Sequence, residues 1–169
     1  MKTRMLILLL ALGSWGAFAQ HDHATHEEKN PDQNMPMFKD AKLGSAYLQY
    51  AKLKDALVAS NADDAKMNAT MLQISLKEVK ESAKAMEAAG KLAAAPDLDG
   101  QRLVFSALSN EMATLVKGGQ LSMGALYLEY CPMANKNTGA YWLSNEREIK
   151  NPYFGSKMMK CGSVKETIN

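Results

Sequence analysis

The sequence predicts a mainly α domain: a three-helix, antiparallel up-down-up bundle with a small irregular C-terminal cap containing a β-hairpin. Three observations predict it. Apolar residues recur at helical spacing over most of residues 40–117. Glycine, proline and Asn/Asp breaks divide that stretch into segments joined by short connections, which makes sequential helices antiparallel neighbours. From Gly124 onward the helical period gives way to aromatic-rich runs at 125–130 and 140–143, which read as two paired strands.

Residues 1–19 read as a secretory signal peptide, with Lys2 and Arg4, an apolar run at 5–12 and the small residues Ala17 and Ala19 before the cleavage point. That run is too short to span a bilayer, and no later segment of the chain could cross one. Without Lys2 and Arg4 the formal net charge of +2 loses two positive charges and falls to 0. The mature chain therefore has no basic balance to attract nucleic acid. Export places its two cysteines in an oxidising compartment.

Residues 20–39, QHDHATHEEKNPDQNMPMFK, are polar, hold two prolines and lack apolar periodicity, so they read as a disordered tether. All three histidines, His21, His23 and His26, lie there and are secondary candidate metal ligands; a solvated tail with incidental histidines is the plainer reading. Residues 40–169 form the helical domain with its Cys/Met cap. The first helix runs from Asp40, a fitting N-cap, to about Ser60, with Leu43, Tyr47, Tyr50 and Leu57 on one face. The second is expected from about Asp63 to Ala89, with Ala65, Ala69, Leu72, Leu76, Val79, Ala83 and Met86 as its seam and Gly90 after its end. The third opens near Pro96-Asp97 and ends at Lys117, with Phe105, Leu108, Met112 and Leu115 inward. These stripes read as core filling.

The chemical candidates lie between Cys131 and Cys161, CPMANKNTGAYWLSNEREIKNPYFGSKMMKC. Met133 follows Cys131 closely and Met158 closely precedes Cys161. Three readings are open. A Cys131–Cys161 disulfide would close a loop that the chain-entropy picture values at roughly 3–4 kcal/mol. Reduced thiolates with one or two thioethers would instead select Cu(I) or Ag(I), and the folded part has no histidine to favour zinc. The two states could alternate, with the metal held by the reduced form. A cysteine hydrolase needs a base, usually histidine, and every histidine lies in the expected tether. With no C-x-x-C pair, nucleophile elbow, phosphate loop or metalloprotease helix either, the chain is read as non-enzymatic. Tyr141 and Trp142 serve either hairpin packing or the shielding of a metal. Residues 151–155, NPYFG, read as a rigid turn that aims Met158 and Cys161.

The segments YCPMA, GAYWLS and EIKNPYFGSKMMKCGSVKETI resemble the signature of a small exported domain of unknown function. That domain also occurs fused to periplasmic adaptor subunits of heavy-metal efflux pumps of the resistance-nodulation-division type. The resemblance runs from about Ala46 to Ile168. It implies a periplasmic protein of copper and silver handling, with an efflux adaptor as partner, and its sulfur positions fall on Cys131, Met133, Met158 and Cys161.

Overall fold

The computed structural model describes residues 35–169. The expected signal peptide, most of the expected tether and His21, His23 and His26 lie outside the described residues. Four substantial helices build the bundle: α1 (Ala41–Val58), α2 (Ala62–Leu76), α3 (Ala83–Ala93) and α4 (Leu98–Gly118). Local chemistry sets three of their starts. Asp40 accepts from Lys42 N, Asn61 from Asp64 N and Asp97 from Gly100 N, each satisfying an amide that the helix itself cannot. Successive helices pack on one another. Among the described residues no helix is long and apolar enough to cross a membrane.

The single second helix expected from the sequence is two helices. At the end of α2 the Ser82 hydroxyl, itself buried, lies 2.6 Å from Leu76 O and 2.8 Å from Val79 O. These contacts hold a tight non-helical turn in which Glu81 takes φ 58°. The break resets the helical phase. Ala65, Ala69, Leu72 and Leu76 are buried as the seam requires, but Ala83 is exposed and α3 buries Ala85, Ala88, Ala89 and Leu92 instead. Gly90 is inside α3 rather than after a helix end, and an added Cβ there would overlap the Gln73 amide of α2.

The cap is a three-stranded antiparallel sheet of order β4-β3-β5, formed by β3 (Leu126–Cys131), β4 (Ala140–Ser144) and β5 (Ser163–Ile168). The expected hairpin is β3 with β4, in the register Glu129↔Trp142 and Cys131↔Ala140. Strand β5, which no alternating pattern in the sequence marks, pairs along β3 from Leu126↔Ile168 to Tyr130↔Ser163. A further ribbon joins β1 (Met37–Phe38) to β2 (Leu121–Met123). Residues 37–38 therefore belong to the fold and not to a tether.

Bundle and cap share one core. A file of rings, Phe38, Tyr47, Tyr50, Phe105, Tyr153 and Trp142, runs through it with successive centroids 5.4–6.0 Å apart. Midway, the buried Tyr50 hydroxyl shares a hydrogen bond of 2.8 Å with Ser109 Oγ of α4 and accepts from Leu143 N of β4 at 3.0 Å. Tyr50→Phe keeps the ring and leaves the Leu143 amide without its acceptor. We expect it to destabilise the fold by about 1–3 kcal/mol, read as a lower urea midpoint with an unchanged slope.

Candidate metal and thiol site

Three short-range constraints bring the cysteines together. Cys131 closes β3 and is fully buried. The β3–β5 ladder ends at Tyr130↔Ser163, so the chain entering β5 passes beside Cys131. Gly162 makes the final bend with φ 148°, where an added Cβ would lie 2.8 Å from the Trp142 ring. The Cys131 and Cys161 sulfurs lie 2.6 Å apart as free cysteines. A bonded pair needs about 2.05 Å, so a small side-chain movement on oxidation would join them.

The Cys161 limb is held by Asn151, the buried first residue of the NPYFG turn. Its Nδ2 donates to Cys161 O at 2.7 Å, its backbone N to Met159 O at 2.9 Å, and its Oδ1 accepts from Tyr153 N at 2.8 Å. The turn is in turn bolted to the bundle. Arg102 of α4 donates through Nε to Pro152 O at 2.9 Å, and through Nη2 to Leu57 O at 3.0 Å and Ser60 Oγ at 2.9 Å. Tyr153 Oη donates to Tyr141 O of β4 at 2.6 Å. The expectation that this turn positions Cys161 matches these contacts.

The two sulfurs differ in environment. Cys131 is fixed on the central strand; Cys161 is only partly buried. The contact with Cys131 raises the Cys161 pKa above the ordinary thiol value and burial adds to it, while the Met133 backbone amide pulls it down. Met133 is 45% exposed, at the start of the β3–β4 connection. It leads into α5 (Ala134–Asn137), a four-residue turn in which Asn135, Lys136 and Asn137 take φ 50°, 57° and 67°. A run of left-handed non-glycine residues stores backbone strain. Met158 is half-buried, and its carbonyl accepts from Cys161 N at 3.0 Å. Thus the structure joins the two cysteines directly and seats both methionines next to them through backbone groups; neither thioether accepts a cysteine hydrogen bond among the described residues. Trp142 is fully buried behind the pair, whereas Tyr141 lies at the surface and packs on Tyr130 at 4.6 Å. No group of three or more His, Cys, Asp or Glu side chains suited to a metal occurs among the described residues.

Sequence reasoning missed Glu129. It stands two residues before Cys131, paired across from Trp142, and is fully buried. Both its carboxyl oxygens, Tyr47 Oη and Trp142 Nε1 lack a protein hydrogen-bond partner. Burial raises the Glu129 pKa to about 8. The Lys54 ammonium and the indole N–H, near enough to act on the charge without hydrogen-bond geometry, pull against it, and Glu146 reinforces it. Lys54 is buried and paired with Asp55 Oδ1 at 2.9 Å. A glutamate in an aromatic-rich strand gives a sequence signal only if both strand faces are known to be covered.

Residues 46–124 match the family model described as "Protein of unknown function (DUF3347)". The match spans most of α1, all of α2–α4 and the β2 strand, and ends before Cys131. No curated protein and no solved structure matches the chain.

The Glu129 shift has a definite sign. The folded protein keeps this proton up to about pH 8, whereas the unfolded chain releases it near 4.5. Unfolding therefore releases a proton between those values, and stability falls as pH rises through that window, levelling above it. The expected loss is on the order of a few kcal/mol. Urea midpoints measured across the window should show the slope in wild type and a flatter profile in Glu129→Gln.

Proposed function

We propose that this is a periplasmic soft-metal protein that takes up Cu(I), or Ag(I) in its place, when Cys131 and Cys161 are reduced. The observation that supports it is the meeting of two cysteines from distant parts of the chain at 2.6 Å, beside an exposed thioether, Met133, whose backbone amide faces Cys161. Thiolates and thioethers are soft donors that favour monovalent copper and silver over harder ions. Binding displaces the thiol protons. Cys131, Cys161, Met133 and Met158 form the ligand set in this reading. The 2.6 Å separation leaves no room for an ion between the sulfurs. Cys161 must therefore swing outward while Cys131 stays on its strand. Exchange with the disulfide of another protein would close the pair, leave that partner reduced by two electrons and release the metal unchanged in oxidation state.

The sequence resemblance supplies the setting: transfer of metal to, or regulation of, the periplasmic adaptor of a heavy-metal efflux pump. The close sulfur contact equally favours a second reading, in which the pair is a permanent disulfide. The protein is then a stapled interaction module that docks on an efflux adaptor or another envelope protein without metal.

A free-thiol count on protein taken from the periplasm, followed by gentle reduction and Cu(I) titration, separates the two. The reduced protein should bind Cu(I) tightly, and Cys131→Ser with Cys161→Ser should lose that site. Met133→Ala with Met158→Ala should weaken it by an order of magnitude or more, a loss of about 1.4 kcal/mol per tenfold. Wild-type affinity in the methionine pair would remove the thioethers from the ligand set. A reduced protein that stays metal-free would leave the staple reading. Deleting residues 21–26 should weaken only Cu(II) uptake.

A further inference from the structure

We infer that Met37 and Met123 form a second soft-metal site, separate from the cysteines, on the ribbon between the first strand and the end of the bundle. The two residues are cross-strand partners in the β1–β2 pair, next to the register shift that separates them from Phe38↔Leu121. Opposed residues of an antiparallel pair project to the same face with Cβ atoms about 4.5–5.5 Å apart. Both side chains are exposed, Met37 at 56% and Met123 at 67%. Two unbranched thioethers rising from two strands can close on one point between them.

Neighbouring contacts fix the ribbon, and among the described residues neither of these two sulfurs makes a hydrogen bond. Lys39 N donates to Gln120 O at 3.1 Å, just beyond the paired residues. Gly124, at φ 82°, lets Pro36 pack against the turn; an added Cβ would lie 3.2 Å from Pro36 Cα. Met35 is engaged elsewhere, its Sδ accepting from Asn145 Nδ2 at 3.5 Å. Phe38, next to Met37, is drawn inward onto Tyr47. The solvated face of an antiparallel pair ordinarily carries polar residues; here it carries a pair of thioethers.

The donor chemistry names the ligand class. Thioethers are neutral and soft, so they reject Mg(II), Ca(II) and Zn(II) and accept Cu(I) or Ag(I). A monocation on neutral donors keeps its charge and needs solvent around it, which suits the exposure of both residues. Such a site holds metal weakly and exchanges it quickly, as an entry point should. Met67 and Met71 are also exposed, one turn apart on α2. Side chains at i and i+4 share one helix face with Cβ atoms about 5–6 Å apart, so this pair is a competing thioether pair against which the ribbon pair is ranked.

The inference rests on the soft-metal reading above but on other residues, and the test separates them. The full chain is oxidised so that Cys131 and Cys161 are blocked, and Ag(I) is added as its nitrate. The methionine methyl resonances are followed by carbon-13 NMR, assigned through Met37→Leu and Met123→Leu, which keep the apolar volume and remove the sulfur. The Met37 and Met123 methyls should shift together and saturate, ahead of Met67 and Met71. In either leucine variant the shift of the remaining partner should fall several-fold at the same Ag(I). Methyls that stay still in a large excess of Ag(I), that move only in step with Met67 and Met71, or that ignore loss of the partner would overturn the site. Uptake of Cu(I) by the reduced cysteines is scored separately, so either site can fail alone.

Discussion

A guanidinium cannot shed its charge, so burying Arg102 obliges the chain to bring acceptors to it. Burial lowers its pKa, and the Asp99 carboxylate pulls it back up. The acceptors come from two places that the sequence holds far apart: Leu57 O and Ser60 Oγ at the end of α1, and Pro152 O in the turn after the hairpin. Meeting that one demand fixes the NPYFG turn on the bundle. The turn then presents Asn151, whose amide and backbone hold the limb carrying Cys161. The position of Cys161 is thus set from the bundle outward, through polar contacts, while Cys131 is set by the β3 ladder.

The same division runs through the cap. Its inner face is joined to the bundle by packed rings and by the Tyr50 hydroxyl, which ties α1, α4 and β4 at one buried point. Close to that junction, Glu129, Tyr47 and Trp142 bury polar atoms without protein partners. Buried polar groups without partners cost stability. Keeping the Glu129 proton reduces that cost, because a neutral carboxyl is far cheaper to bury than a carboxylate. The strand that anchors Cys131 is therefore held on a face that is partly apolar and partly protonated.

Much of the bundle was legible because its signals are local. Asp40 and Asp97 stand where a side-chain oxygen meets the first free amides, and the stripes around Tyr47, Tyr50 and Phe105 repeat at the helical period. The break after Leu76 was not legible. The 4-3 spacing continues straight through it, and the Ser82 hydroxyl that bonds back to Leu76 O and Val79 O breaks the helix there against that spacing. Strand β5 escaped for the opposite reason. SVKETI has no buried alternation, since its residues are exposed or half-buried and it is ordered by pairing to β3. Strand β1 has two residues and no period at all. The meeting of Cys131 and Cys161 could be framed from the sequence as a pair, but their contact depends on the end of the β3–β5 ladder and on Gly162, which no local pattern encodes.

The family match ends at Gly124, and every sulfur of the cap site lies beyond it. The matched helices and the Cys131–Cys161 contact therefore lie in adjacent parts of the chain, coupled through the Arg102 turn and the Tyr50 hydroxyl. That coupling is asymmetric. Moving Cys131 would break β3 out of the centre of its sheet. Cys161 is held by fewer contacts, those of the Asn151 amide and backbone and of the Met158 carbonyl, beside Gly162 and an edge strand whose side chains are largely exposed. In the proposed reading a bond between the sulfurs would pin that edge strand to the central one, and its reduction would let the Cys161 limb open on the side where Met133 is already exposed. One sulfur is held by a ladder and the other by a clamp, and the proposed redox gating would act on the clamped one, leaving the ladder of the central strand in place.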